Sequence, residues 1–318
     1  DGFAFNQFNA EEQSISFSPA PPTAYGSISG YTSGGTGVGG PFNIIDKFPF
    51  ATDGNATDVG DLTVAKYTSA GQSSTESGYT SGGRSPDATN VIDKFPFAAD
   101  ANATDVGDLT QARQHTAGQS SEVSGYTSGG YAPGQAAQNT IDKFSFAADG
   151  NATDVGDLTV VRYGSAGQSS TESGYNSGGV SPGGLKNEID KFPFAADGNA
   201  TDVGNLTQAR HIPSGQSSTE SGYTSGGYVS PSVYKNEIDK FSFASDGNAT
   251  NVGDLAIPKQ GPAGQSSTVS GYVSGGGGTT PSTQFVNTIE KFPFASDANA
   301  TDVGDLTQGR YLAAGQQV

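Results

Sequence analysis

Six near-copies of one phrase of about 48 residues constrain this chain most, because a unit that short must bury its apolar face against its neighbours. The wording GYTSGG, or a one-letter variant, begins at Gly30, Gly78, Gly125, Gly174, Gly222 and Gly271. The successive spacings are 48, 47, 49, 48 and 49 residues. A second phrase, Ile-(Asp/Glu)-Lys-Phe-(Pro/Ser)-Phe, begins at Ile45, Ile92, Ile141, Ile189, Ile238 and Ile289. A third, Asn-Ala-Thr followed by an Asp-Val-Gly-Asp-Leu type run, also occurs six times. One unit therefore reads AGQSSTES, GYTSGG, a variable stretch, IDKFPFA, DGNATDVGDLTVAR and a short variable joint.

Each unit holds four strand-like pieces separated by Gly, Asn-Asp or Pro signals. In Ile92 to Phe97 the residues alternate, so Phe95 and Phe97 share one face. Thr104 to Arg113 reads as a fourth strand, with Val106 and Leu109 reaching a buried layer only if the chain bends near Gly107. Four short antiparallel strands per unit, six times over, predict an all-β, six-bladed β-propeller, which leaves only short protected edges. An open solenoid would need atypical capping ends, and the end units are no more polar than the middle ones. Residues 23–318 are expected to form the propeller and residues 1–22 a strand-like arm. The blades should fall near 23–67, 68–114, 115–163, 164–211, 212–260 and 261–313. Blade one would take its first strand from Thr23 to Ser29, and blade six its fourth from Thr301 to Arg310.

Several of these elements fall in the order found in kelch repeats. They are Tyr79, the double glycine Gly82-Gly83, the aromatic of IDKF, the TDVGDL run and the closing Ala-Arg. Over residues 23–313 the chain resembles kelch-repeat propellers, which implies the same closed ring of blades. The kelch tryptophan of the fourth strand is replaced by Ala or Thr of the Asn-Ala-Thr triplet, and the chain has no Trp. The Phe-x-Phe pairs are the expected substitute, packed between neighbouring sheets. The wording of the repeats also resembles uncharacterised repeat proteins of marine phages and aquatic bacteria.

Charge and composition exclude several functions. A formal charge of −17 opposes nucleic-acid binding and anionic membranes. No apolar run approaches the roughly 18 residues of a spanning helix. With no Cys there are no disulfides, thiolate metal sites or cysteine nucleophiles. The chain starts at Asp1 and contains no Met, as expected of a processed or partial chain. An acidic, Ser/Thr/Gly-rich composition suits an extracellular or virion-surface protein.

Catalysis is not expected. The only histidines, His115 and His211, occupy the joint after the repeat's Arg and have no Ser or Asp partner that suggests a triad. The Cys-linked Tyr of kelch-type copper oxidases cannot form here. Lys66, Arg113, Arg162, Arg210, Lys259 and Arg310 share one repeat position and the six IDK lysines another. The cations are thus repeated features and not an active-site cluster. GYTSGG lacks the Lys and following helix of a phosphate loop and reads as a strand end.

The Asp-x-Asn-x-Thr stretch with a carboxylate at its ninth position has two readings. Alternating oxygen ligands suit calcium, the one candidate cofactor, and resemble the calcium loops of integrin-type propellers. The candidate ligands are Asp53, Asn55, Thr57 and Asp61, then Asp100, Asn102, Thr104 and Asp108, then Asp149, Asn151, Thr153 and Asp157. The later repeats supply Asp197, Asn199 and Thr201 (the ninth position being Asn205), Asp246, Asn248, Thr250 and Asp254, and Asp297, Asn299, Thr301 and Asp305. The other reading is a turn capped by Asp and Asn side chains. The same triplet is an N-glycosylation sequon at Asn55, Asn102, Asn151, Asn199, Asn248 and Asn299, with a seventh at Asn205.

Differences among the copies collect in the stretches joining strands two and three and in the joints between units. Antiparallel order puts both on one face. Tyr131, Tyr228, Tyr234, Phe285 and Phe42 make that face the expected contact surface for glycans or protein partners. The arm carries Phe3, Phe5, Phe8, Ile15 and Phe17 ahead of a stiff Pro-Ala-Pro-Pro joint, and suits addition to another copy of the chain. The expected function is a non-enzymatic structural or adhesion protein that assembles through its arm into a fibre or larger particle. The alternative is a multivalent glycan-binding lectin-type propeller.

Overall fold

The computed structural model describes residues 26–134, 136–229, 233–278 and 284–318. Among them, six four-stranded antiparallel sheets form the blades of a β-propeller. Blade two shows the pattern: Ala70–Ser73 lies innermost, followed by Ser77–Ser81, Val91–Pro96 and Thr104–Asp108. The turn between its first two strands is set by Ser74, whose Oγ accepts the N–H groups of Glu76 and Ser77.

The fourth strand bends where the sequence requires it. Ile92 pairs with Gly107 and Asp93 with Asp105, so Val106 is the extra residue of a β-bulge. Gly107 sits at φ +154°, and a Cβ there would lie 2.2 Å from the Gly150 carbonyl oxygen of the next blade. The strand ends at Asp108, shorter than the stretch to Arg113 expected from the sequence.

Blade one departs from expectation. Its innermost strand is Ala314–Gln317, from the C-terminal end of the chain, and not the stretch from Thr23 to Ser29. Gly26 instead bridges in parallel to Ser267 of blade six, and Ser29 opens the second strand. Blades two to six fall within the boundaries read in the sequence, and only the inner strand of blade one comes from elsewhere. The reason is chemical: Ala314-Gly315-Gln316 carries the repeat's Ala-Gly-Gln phrase, which Thr23 to Ser29 lacks. Closing the ring in this way joins the two ends of the described fold in one sheet.

The apolar core lies between blades. Tyr31, Ile45 and Leu62 of blade one pack with Phe95, Phe97 and Ala103 of blade two. Tyr31 stacks on Phe97 at 4.8 Å, and equivalent clusters recur around the ring. The Phe-x-Phe pairs thus pack between neighbouring sheets as expected.

The remaining interblade contacts are polar. Gln72, fully buried, donates from Nε2 to Ser81 of its own blade and to the Tyr126 carbonyl and Thr127 of the next, at 2.8–3.0 Å. Gln316 does the same from the closing strand, reaching Ser33, the Tyr79 carbonyl and Thr80. The repeat's closing cation pairs with the IDK carboxylate of the following blade. Lys66–Asp93, Arg113–Asp142, Arg162–Asp190, Arg210–Asp239, Lys259–Glu290 and Arg310–Asp46 are all wholly buried.

Candidate functional site

Two faces result from this order of strands. One carries the Asn-Ala-Thr turns and the turns between strands one and two. The other carries the variable stretches, which fold into two-stranded hairpins: Thr36–Gly37 with Gly40–Pro41, Arg84–Ser85 with Asp87–Ala88, and so on around the ring. Each hairpin pairs with the joint entering its blade. Tyr67 meets Arg84, Gln114 meets Tyr131, Tyr163 meets Val180, His211 meets Tyr228, and Tyr311 meets Thr36. In blade six Gln260 meets Gly277.

A closed circle of six backbone hydrogen bonds surrounds the mouth of the central channel on this face. The N–H of Thr68 bonds to the carbonyl of Leu312, His115 to Thr68, Gly164 to His115, Ile212 to Gly164, Gly261 to Ile212 and Leu312 to Gly261, at 2.6–2.9 Å. All six residues have φ between +45° and +62°. Two are glycines; at the other four the ring imposes a backbone state that side chains disfavour. Inside the ring is a cavity of about 70 Å³.

Aromatic and imidazole rings gather on one side of this mouth. Tyr163 stands edge-on to Tyr131 at 5.6 Å and to His211 at 5.2 Å, and 6.0 Å from His115. His211 Nδ1 shares a 2.9 Å hydrogen bond with the Tyr228 hydroxyl. Tyr131 is the most open of these rings at 36% exposure. On the opposite side Phe285 stacks on Tyr311 at 5.2 Å, and Tyr234 accepts a hydrogen bond from Gln260. Phe42 covers the buried Arg310 guanidinium at 5.8 Å, which gives it a packing role as well. Three cations outside the repeated positions, Arg84, Lys186 and Lys235, also lie in the hairpin stretches.

The symmetry-breaking cluster around His115 and His211 was missed by sequence reasoning, which looked for a Ser or Asp beside each histidine. The available signal was that both histidines fall in one type of joint, and joints converge at a propeller's centre. Burial pushes His115 down to about 4, helped by Arg84, and pushes His211 down to about 3, helped by His115. Both are therefore neutral at pH 7.

These shifts predict a pH dependence. The unfolded chain takes up protons on both histidines near 6.5, while the folded chain does so only near 4 and 3, so stability falls as pH drops below about 6.5. The slope is about 1.4 kcal/mol per pH unit for each histidine inside that window. Denaturant titrations in EDTA should show wild type losing stability relative to an H115G/H211Q double variant between pH 6.5 and 4. Parallel curves would mean the histidines are not held neutral.

The candidate calcium residues are spread over blade interfaces. Asp53, Asp100, Asp149, Asp197, Asp246 and Asp297 each pair with the IDK lysine of the preceding blade at 2.9–3.3 Å, beginning with Lys291–Asp53. Each of those lysines also lies over its blade's Tyr ring at 5.8–5.9 Å. Asn55, Asn102, Asn151, Asn199, Asn248 and Asn299 accept with Oδ1 a backbone N–H from the preceding blade's fourth strand. Thr57 and its equivalents open the fourth strand. Asp61 ends it, its backbone N–H donating to Asn102 Oδ1 and its C=O accepting the Ala103 N–H of the next blade. Asp53 and Asn55 therefore face one blade interface while Asp61 contributes to the other. Among the described residues no three His, Asp or Glu side chains form a metal cluster. The six Asn-Ala-Thr asparagines are exposed, whereas Asn205, the seventh sequon, is half-buried at the end of a fourth strand.

This geometry gives a direct expectation. Millimolar Ca²⁺ should leave the melting temperature unchanged, whereas Asn102→Ala should cost about 0.5–1.5 kcal/mol as one interblade hydrogen bond is lost. A calcium-dependent rise in melting, abolished by that substitution, would restore the ligand reading. The arm residues Phe3, Phe5, Phe8, Ile15 and Phe17 lie outside the described residues.

The fold and its two unlike faces define a six-bladed β-propeller with a hairpin-bearing mouth. No protein-family model and no curated protein matches the chain.

Proposed function

We propose that this chain is a non-enzymatic structural and adhesion protein, displayed extracellularly or on a virion surface. One observation carries the reading. The repeated charged and amide side chains are spent between blades, while the residues that differ among repeats line the hairpin face. A rigid ring that holds varied loops on one face suits recognition. The kelch-like reading rests on the order of the repeat residues.

Assembly through residues 1–22 belongs to the same proposal. Ring closure by Ala314–Gln317 supports it, because the blades are complete without that arm. A head-to-tail contact of this kind produces a fibre unless its rotation closes. Light scattering on the full chain and on a chain starting at Thr23 tests the idea. Assembly confined to the full chain is expected; two monodisperse monomers would end the fibre reading.

The lectin reading is supported by the Tyr131, Tyr163, Tyr228 and His211 rings at the mouth. Apolar ring faces beside hydrogen-bonding groups suit neutral sugars. Saturation-transfer NMR with neutral oligosaccharides should show contact that Tyr131→Ala and Tyr228→Ala remove. Transfer unaffected by both substitutions would place sugar binding elsewhere.

A further inference from the structure

We propose that His115 and His211 hold one divalent transition-metal ion that prefers imidazole ligands, Zn²⁺ or Cu²⁺, at the channel mouth. They are the chain's only two histidines, and they come from joints two repeats apart. Folding brings their ring centroids to 6.0 Å, with an interplanar angle of 40°. Two imidazoles that each bind one ion at about 2.0–2.1 Å stand with ring centres roughly 5–6 Å apart.

A second observation points to a ligand. His211 is 8% exposed, and its Nε2 is buried with no hydrogen-bond partner among the described residues. A buried nitrogen in that state calls for an ion or a water. The Tyr228 hydroxyl engages the other nitrogen, Nδ1, at 2.9 Å. With Nδ1–H donating to Tyr228, Nε2 keeps the lone pair a metal needs, and the outer hydrogen bond fixes the ring. The His211 ring edge also lies over Gly164, where a Cβ would come within 2.1 Å of Nε2, so the glycine at this one of six equivalent positions makes room for it.

The chemistry selects the ion. Neutral imidazole is the form that coordinates a metal, so binding should weaken as the pH falls. No three His, Asp or Glu side chains cluster here among the described residues, so hard cations that need several carboxylate oxygens are disfavoured. Imidazole suits Zn²⁺ and Cu²⁺, and Cu²⁺ binds most tightly of the first-row divalent ions. The adjoining cavity of about 70 Å³, lined by His115 and Gly164, has room for water to complete the coordination.

The test uses the full chain, dialysed against chelator and then titrated calorimetrically with ZnCl₂ and separately with CuCl₂. One ion per chain is expected, with a higher melting temperature in excess metal and nitrogen hyperfine coupling from two imidazoles in the Cu²⁺ paramagnetic resonance spectrum. H115G and H211Q should each abolish the single-site binding. Both substitutions reproduce residues that the repeat already uses, Gly164 and Gly261 at one position and Gln114 and Gln260 at the other, so the ring should still close. A flat titration would assign the buried nitrogen to water. Equal binding in the double variant, or a copper spectrum without nitrogen coupling, would place the ion on surface carboxylates. Each of these results overturns the proposal.

Discussion

A chain ending at Ala313 is expected to lose its self-closed ring. The missing residues include the inner strand of blade one, whose register runs from Gly30 with Gln317 to Ser33 with Ala314. Its removal would strip Gln316 from Ser33, the Tyr79 carbonyl and Thr80, leaving buried hydroxyls and a carbonyl without that partner. The inner strands of blades six and two would also lose the strand between them, since Gly315 packs against Gly264 and Gly71 against Gly315 too closely for a Cβ. The exposed Ser29–Ser33 edge could then be covered only by another copy of the chain. Thermal melting with light scattering should show either no cooperative transition or a strand-exchanged oligomer. Removing residues 1–22 should leave the melting of the ring unchanged. A truncated monomer with unaltered melting would refute closure by the C-terminal strand.

Asp190→Ala is the point substitution with the largest expected cost, about 3–5 kcal/mol, because it strands the buried Arg162 guanidinium. Asp190 also accepts from the Thr159 N–H and hydroxyl at 2.8–2.9 Å. Burial pushes the Asp190 carboxyl up despite the adjacent Arg162, so desolvation outweighs the attraction at this site. The same imbalance lowers Lys66, Arg113, Lys259 and Arg310. Removing both charges together, as Arg162→Met with Asp190→Leu, should therefore cost far less than Asp190→Ala alone. Urea titration of the three proteins separates the cases. Equal losses from the single and paired changes would mean that the ion pair itself provides the stability.

The interface between blades five and six already contains one variant of this network. Ala256 lacks the hydroxyl present at Thr159, and Glu290 replaces aspartate. The longer carboxylate accepts the Ala256 N–H and pairs with Lys259, both at 2.6 Å. Chain reach compensates for the missing hydroxyl.

The ring of blades was legible because Phe95 and Phe97 alternate, and because the repeat spacing allows four strands per unit. The bulge at Gly107 was legible for the same reason: Val106 and Leu109 cannot both face inward along a straight strand. Blade one was misread because its first strand was sought just ahead of Gly30, whereas the repeat's Ala-Gly-Gln phrase for that position returns only at Ala314. The two roles of the turn residues were hidden because hydrogen bonding across a ring links residues one repeat apart. Asp53 meets Lys291 only after the ends of the chain are joined. The histidine pair was hidden for a related reason, since joints distant in sequence become neighbours only around a common axis.

The central claim is that recognition belongs to the hairpin face and not to the repeated turns. Binding of the labelled protein to a glycan and surface-protein array tests it most directly. Wild type is compared with a variant carrying Tyr131→Ser, Tyr228→Ser, Tyr234→Ser and Phe285→Ser, and with one carrying Asn→Gln at the six Asn-Ala-Thr turns. The account predicts selective binding that the hairpin-face variant loses and the turn variant keeps. Binding kept by the first and lost by the second would contradict it.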